Sequence, residues 1–158
     1  MSRYSFTEHD ELYMNAALEQ ARASLKSDDV PVGAVIVCDG EIIATGCNTR
    51  EKNATALGHA EISAIEEACD RLGGWRLESC TLYVTLEPCP MCAGAIMAAR
   101  IPRVVYGAKD TVAGAMGSVW SLHTHPIRND HTRVENGCLE SECREVLQAF
   151  FKEKRAKG

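Results

Sequence analysis

Apolar residues recur at helical spacing in several stretches of the chain, and polar loops separate these stretches. The period predicts a first helix over residues 8–26, a second over 60–72 and a last one over 139–154. Gly73 directly follows the second helix, as a C-terminal cap commonly does. An alanine-rich run at 91–100 predicts one more helix, with a proline in its first turn.

Runs of β-branched and aromatic residues alternate with these helices and predict five strands, at residues 30–38, 41–46, 81–86, 103–107 and 132–135. Asp39-Gly40 separates the first two strands, which predicts an antiparallel hairpin. The later strands connect through helices and are expected to be parallel, so the sheet is mixed and the fold class is α/β. Gly33 lies inside the first strand, where it indicates either a bulge or the close approach of another backbone.

The sequence also predicts the positions of two short segments and the number of domains. Trp75 is expected to pack beneath the strand at 81–86, and residues 118–122 are expected to form a short helix. Residues 152–158 form a basic C-terminal tail. No internal repeat or linker interrupts the pattern, so residues 1–158 are expected to form a single domain.

Composition and charge narrow the class of protein. The chain has 158 residues, of which 46% are hydrophobic and 25% charged, which is ordinary for a soluble globular protein. It shows neither an apolar run of membrane-spanning length nor a signal peptide, so we expect a cytoplasmic protein without membrane contact. In a reducing cytosol its 8 cysteines, apart from Cys89 and Cys92, are expected to be mostly small buried residues. The net charge of −5 argues against an indiscriminate nucleic-acid binder, and no DNA partner is expected.

Two cysteines lie where the strand at 81–86 gives way to the helix at 91–100. Cys89 and Cys92 are three residues apart at a helix start, where the helix dipole favours the thiolate form. Alone, such a pair is compatible with a metal site, a redox pair or two reduced structural cysteines. His59-Ala60-Glu61 favours the metal site, because His-x-Glu followed by Pro-Cys-x-x-Cys is the signature of zinc nucleobase deaminases.

One histidine and two thiolates make three protein ligands, the number typical of a catalytic zinc site. We therefore predict one Zn²⁺ per chain, held by His59, Cys89 and Cys92, with a fourth position open for water. Zinc in such a site makes hydroxide available near neutral pH. Glu61 is predicted to carry the proton, which requires the helix to begin at His59 so that both side chains converge on the metal. Glu87, the rival carboxylate, is expected to orient a loop or to accept backbone N–H bonds.

The chain resembles the cytidine-deaminase-like superfamily, and within it the bacterial tRNA adenosine deaminases, over nearly its whole length. The similarity is most specific at residues 30–35, 59–62, 81–94, 103–108 and 150–152. It implies a three-layer α/β/α sandwich around a mixed five-stranded sheet. It also implies a homodimer and the hydrolytic conversion of the wobble adenosine of a tRNA anticodon to inosine.

The resemblance assigns further roles to residues outside the zinc signature. Asn48 would hydrogen-bond the flipped purine, the backbone N–H of Ala60 would face the reacting centre, and Asp110 would contact the ribose of a neighbouring nucleotide. Taken alone, Asn48 and Asp110 are typical of a turn and of a loop cap. The pocket would be lined by Val30, Pro31 and Leu86.

The chain departs from the family pattern at three places. Leu57-Gly58 precedes the zinc histidine where Thr-Ala or a similar pair is usual. Asp130 separates an asparagine and a histidine that are typically adjacent, and Trp120 stands where an aliphatic residue is expected. These changes leave the metal chemistry intact and bear on how an anticodon loop is held.

The sequence is compatible with three functions. The first is a tRNA adenosine deaminase, the second a deaminase of a free base or nucleoside such as guanine or cytosine with the same zinc and Glu61, and the third a zinc-stabilised binding protein without turnover. The salt dependence of substrate binding distinguishes the first two functions, since RNA binding weakens steeply as salt rises. A tRNA adenosine deaminase would contact RNA through Lys109, Arg128, Arg133, Lys152, Lys154 and Arg155.

Overall fold

The computed structural model describes residues 3–126 and 132–158. Each predicted strand and each of the four long helices is present, with ends that move by at most three residues. Two short 3₁₀ turns, Ser24–Ser27 and Leu122–Thr124, accompany them. The order along the chain is α1 (Glu8–Ala23), β1 (Gly33–Cys38), β2 (Glu41–Cys47), α2 (Ala60–Leu72), β3 (Cys80–Leu86), α3 (Pro90–Ala98), β4 (Arg103–Ala108), β5 (Arg133–Asn136) and α4 (Glu140–Lys157).

The five strands form one mixed sheet in the order β2-β1-β3-β4-β5. β1 is antiparallel to both β2 and β3, whereas β3, β4 and β5 run parallel. Helix α3 connects β3 to β4, as a parallel pair requires a crossover. α1 and α4 pack on one face and α2 and α3 on the other, which confirms the predicted three-layer α/β/α fold.

Strand residues alternate between the two faces of the sheet. In β3, Leu82 and Val84 pack toward α2 and α3, whereas Tyr83 between them packs toward α1. The Tyr83 hydroxyl donates to Asp10 of α1 at 2.7 Å, and Arg103 of β4 pairs with the same carboxylate at 3.0 Å. This buried polar cluster ties the first turn of α1 to the centre of the sheet.

Two glycines let helices lie directly on the sheet. A Cβ atom at Gly33 would lie 2.0 Å from the carbonyl oxygen of Ala17 in α1, so the glycine marks the close approach of a backbone. Gly46 in β2 has the same relation to α2, where a Cβ atom would lie 2.1 Å from the carbonyl oxygen of Ala60. Because Ala60 begins α2, Gly46 sets the depth at which that helix starts.

The predicted hairpin is confirmed, while two local predictions are wrong. Asp39 and Gly40 have φ angles of 50° and 78°, as a two-residue hairpin turn requires. Trp75 does not pack under β3: it is 50% exposed and stacks on the guanidinium of Arg76, 4.2 Å from the ring centroid. The short helix lies at Leu122–Thr124, because the N–H groups of residues 119 and 120 bond to the carbonyl of residue 114 in a turn.

Some predictions concern residues that the structure does not describe. Arg128 of the proposed basic set and the departure at Asp130 both lie outside the described residues. Among the described helices, none combines the length and the apolar character that crossing a membrane requires.

Candidate active site

The starts of α2 and α3 bring the predicted zinc ligands together. His59 is the N-cap residue of α2 and Cys89 is the N-cap residue of α3, and both have extended backbone conformations. Neither side chain caps its own helix by a hydrogen bond. Nδ1 of His59 lies 3.6 Å from Sγ of Cys89 and 3.4 Å from Sγ of Cys92.

The spacing of these donor atoms matches that of zinc ligands. The three donor atoms all lie within 4.8 Å of one another, and they form the one such group of His, Cys, Asp or Glu ligands among the described residues. A tetrahedral zinc ion, with Zn–N and Zn–S bonds of about 2.0 and 2.3 Å, separates nitrogen and sulfur ligands by about 3.5 Å. His59, Cys89 and Cys92 therefore fit a Zn²⁺ site with three protein ligands.

Glu61 lies beside this cluster in the first turn of α2 and is 3% exposed. The expectation that the helix begins at His59 is confirmed, and the carboxylate reaches the Cys92 thiol. Burial raises the pKa of Glu61 to about 7, because the charged carboxylate loses its water. Ala60, the first helical residue, also borders the site, and its backbone N–H precedes the intrahelical hydrogen bonds.

The two thiols of the site differ in acidity. A hydrogen bond from Cys92 lowers the pKa of Cys89 to about 4, and the His59 ring acts in the same direction. The same bond raises the pKa of Cys92, which is fully buried. Cys89 is therefore the more readily ionised of the pair. Because a zinc ligand must be a thiolate, metal binding requires Cys92 to release its proton.

A cleft of about 230 Å³ opens onto these residues. The predicted pocket residues lie in its wall with one exception, since Pro31 is buried outside the lining and its neighbour Val32 lines the cleft. The lining consists of Val30, Val32, Asn48, Arg50, His59, Ala60, Glu61, Leu86, Glu87, Cys89, Asp110 and Ala113.

The amide of Asn48 is fixed on one side of the cleft. Its Nδ2 donates to the carbonyl oxygen of Val30 at 3.1 Å, and its Oδ1 accepts the backbone N–H of Arg50 at 3.1 Å. These two bonds fix the positions of Nδ2 and Oδ1, and so the orientation of the amide. One Nδ2 hydrogen and one Oδ1 lone pair remain for a ligand.

Glu87 organises another part of the cleft wall. Its carboxylate is 2% exposed and accepts the backbone N–H groups of Asp110, Met116 and Ser118 at 3.1, 3.1 and 3.0 Å, and also the Ser118 hydroxyl. This confirms the structural role expected for Glu87. The loop it folds carries Asp110, whose Oδ1 in turn accepts the N–H groups of residues 112 and 113 at 3.0 Å.

Three lining residues escaped the sequence analysis, namely Val32, Arg50 and Ala113. Arg50 adds a positive charge to the cleft wall, but a lone arginine in a polar loop gives no local signal of this.

The structure explains why a glycine stands at position 58, one of the departures from the family pattern. A Cβ atom there would lie 2.8 Å from the backbone nitrogen of Arg50. Glycine thus lets the loop between β2 and α2 close on itself immediately before His59.

A three-ligand zinc site at two helix starts, with a buried glutamate beside it, defines the class of zinc-dependent nucleobase deaminases. Residues 7–108 match the family described as the cytidine and deoxycytidylate deaminase zinc-binding region. The chain is 49% identical over 148 residues to the tRNA-specific adenosine deaminase of Bacillus subtilis, which covers 94% of this chain and 92% of that protein. The chain belongs to the tRNA-specific adenosine deaminase family.

Other relatives and solved structures agree with this placement. The tRNA-specific adenosine deaminase of Agrobacterium fabrum is 48% identical over 144 residues, which cover 90% of this chain and 94% of that protein. A structure from studies of A-to-I editing by tRNA:A34 deaminases at the wobble position matches with a TM-score of 0.83. It is 44% identical and covers 86% of this chain and 99% of its own. A guanine deaminase of Bacillus subtilis is 40% identical with a TM-score of 0.62, over 72% of this chain and 71% of that chain.

Proposed function

We propose that this protein hydrolytically deaminates the wobble adenosine of a tRNA anticodon to inosine. The observation that supports it most is the buried Glu61 beside the three-ligand zinc site, at one end of a cleft that also contains Asn48. This constellation occurs in a chain that is 49% identical to a tRNA-specific adenosine deaminase. Zinc, when bound, supplies hydroxide at neutral pH.

The chain's own residues would then move the proton and hold the base. Glu61 accepts a proton from the attacking water and delivers it to the leaving amine, so that a C–O bond replaces a C–N bond and ammonia departs. The N–H of Ala60 lies at the positive end of α2 and can donate to the reacting centre. Asn48 offers one donor and one acceptor to the purine edge.

Residues farther from the zinc would select a nucleotide in RNA. Leu86, Val30 and Val32 supply apolar surface for a flipped base. Asp110 keeps its Oδ2 for a ribose hydroxyl, since the two loop N–H groups use Oδ1. Of the proposed basic set, Arg133 pairs with Glu135 and Lys154 pairs with Asp28. Those two cations are thus partly neutralised within the protein.

A homodimer, acting on its tRNA in the cytoplasm, is part of the same proposal. Helix α3 contains no charged residue, yet Pro90, Gly94 and Ala98 are exposed along one of its faces. A helix that is apolar on all sides is usually buried, which supports a second copy of the chain on this face. Light scattering should give twice the mass of 17.2 kDa, and Gly94→Glu should reduce it to the monomer value. A wild-type protein of monomer mass would contradict the dimer.

The function itself is tested with the zinc-loaded protein. One reaction contains an anticodon stem-loop with adenosine at the wobble position, and parallel reactions contain free guanine, cytosine, adenosine and cytidine. Inosine should appear only in the RNA, at a rate that falls as salt rises, because phosphate contacts release counterions. Ammonia from a free base alone, with no salt dependence, would contradict the proposal.

The second candidate is deamination of a free base. It is favoured by the 40% identity to a guanine deaminase of known structure and by a cleft that contains a single cation, Arg50, in its lining. The same set of reactions decides it, since turnover of free guanine without the stem-loop would establish this activity. Against it stands the lower TM-score of 0.62, compared with 0.83 for the tRNA:A34 deaminase structure.

A further inference from the structure

Asp29 is a buried carboxylate outside the zinc signature that binds the loop next to the cleft. It is 1% exposed and lies just before β1. Its Oδ1 accepts the backbone N–H of Glu51 at 2.7 Å. Its Oδ2 accepts the N–H of Lys52 at 3.2 Å and the hydroxyl of Ser27 at 2.6 Å. Burial disfavours its charge, but these three donors together hold the pKa of Asp29 below its usual value.

The N–H groups that Asp29 binds belong to a hydrogen-bonded turn that follows Asn48. The carbonyl of Thr49 accepts from Asn53 at 2.8 Å and that of Arg50 accepts from Thr55 at 3.1 Å. The first N–H groups of such a turn have no acceptor within it. Asn48 takes one of them with Oδ1 and Asp29 takes the next two. Asp29 therefore caps this turn from a distant part of the chain.

The turn that Asp29 caps forms part of the cleft wall. Arg50 lines the cleft and belongs to the turn, while Asn48 immediately precedes it. The N–H of Thr49 bonds to the carbonyl of Gly58 at 2.8 Å, which closes the loop next to His59. Asn48 also donates to Val30, the residue after Asp29. The segment at 29–30 thus binds both the Asn48 amide and the turn that follows it.

We propose that Asp29 is a positioning residue of the deaminase site, which holds the loop at 48–58 so that Asn48 and Arg50 face the substrate. The kinetic part of this inference rests on the proposed function, and the structural part does not. Asp29 touches no substrate in this scheme. It acts through the backbone of residues 51 and 52.

The experiment compares Asp29→Asn with Asp28→Asn. Both variants remove one negative charge, but Asp28 is exposed and its carboxylate pairs with Lys154. In Asp29→Asn an NH₂ group faces a backbone N–H, so one hydrogen bond to a charged acceptor is lost. Amide hydrogen exchange of residues 50–52, zinc content and steady-state kinetics on the stem-loop are measured for each.

Asp29→Asn should lose exchange protection at residues 51 and 52 while α2 and α3 stay protected and zinc stays bound. KM for the stem-loop should rise about tenfold with kcat little changed, because the Asn48 contact exists in both ground and transition states. Asp29→Glu, which keeps two acceptor oxygens, should restore KM toward the wild-type value. Asp28→Asn should keep wild-type zinc content and wild-type exchange protection at residues 51 and 52.

Unchanged protection and KM in Asp29→Asn would overturn the proposal, and so would an equal loss of protection at residues 51 and 52 in Asp28→Asn. A lower melting temperature without either change would show a purely structural role and would also overturn it. If the wild type leaves the stem-loop untouched, the proposed function fails, while the exchange data still decide whether Asp29 holds the loop.

Discussion

The Nδ1 atom of His59 lies 3.4 Å from the Sγ atom of Cys92, although 33 residues separate them along the chain. Each residue belongs to the start of a different helix, α2 for His59 and α3 for Cys92. Both helices lie on the same face of the sheet. A metal bound between them would therefore join the starts of two helices that pack on the same face of the sheet.

Replacing Cys92 should lower both the zinc content and the thermal stability of the protein. Cys92→Ala removes one of three ligands, so zinc content measured by plasma mass spectrometry should fall well below one per chain. Because the metal binds the folded state, the melting temperature should fall as well, and a chelator should have little further effect on this variant. Cys69→Ser, at a half-buried cysteine outside the cluster, is the control and should keep its zinc. Full zinc occupancy in Cys92→Ala would contradict the assigned ligand set.

Glu61→Gln should separate binding from chemistry. The amide keeps the shape of the side chain but cannot accept and return a proton, so kcat should fall by about 10²- to 10⁴-fold. Zinc content and melting temperature should stay close to the wild type. The control is Glu66→Gln, an exposed glutamate on the same helix, which should be fully active. Comparable turnover in the two variants would contradict a proton-carrying role for Glu61.

Glu87→Gln should destabilise the protein and loosen the wall that carries Asp110. An amide places an NH₂ group among three backbone N–H donors, so hydrogen bonds to a buried charge are lost. We expect a loss of about 3 kcal/mol in the free energy of unfolding, measured in urea. Glu78→Gln, at an exposed carboxylate, should change it by less than about 0.5 kcal/mol. An equal effect of the two changes would contradict the role of Glu87.

These residues also show how far a sequence can predict such a site. His59, Glu61 and the cysteine pair were predictable, because each group is short, lies at a helix start and owes its geometry to local structure. Glu87 was predictable only as a structural carboxylate. Asp29 and Arg50 were not predictable, since contacts between distant segments place them. The prediction for Trp75 was wrong for a related reason. Its ring stacks on the guanidinium of Arg76 at the surface and is not buried under β3.

Stability at acid pH should depend on Asp10. Burial opposes its charge, but hydrogen bonds from Arg103 and from the Tyr83 hydroxyl outweigh this, so the pKa of Asp10 falls from 3.8 to about 2. A group with a lowered pKa stabilises the fold above its unfolded-state pKa. That stabilisation, about 2 kcal/mol, is lost as the pH falls from about 4 to about 2.

The measurement is the free energy of unfolding of the wild type and of Asp10→Asn at pH 5 and pH 2. The advantage of the wild type should be largest at pH 5 and should shrink by about 2 kcal/mol at pH 2. Zinc release in acid affects both proteins, so it cancels in the difference. A difference that stays constant between the two pH values would rule out this role for Asp10.

Gly46→Ala should lower both the stability of the protein and its rate of deamination. The new Cβ atom would lie 2.1 Å from the carbonyl oxygen of Ala60, so the first turn of α2 must move away from β2. Such overpacking costs about 1–3 kcal/mol. The same shift displaces His59 and Glu61, and a misplacement of this kind can cost about 10²-fold in rate. Gly74→Ala is the matched control, because no atom lies within 4 Å of its new Cβ. It should leave rate and stability nearly unchanged. A destabilised Gly46→Ala with full activity would mean that contacts other than β2 hold the start of α2 in place.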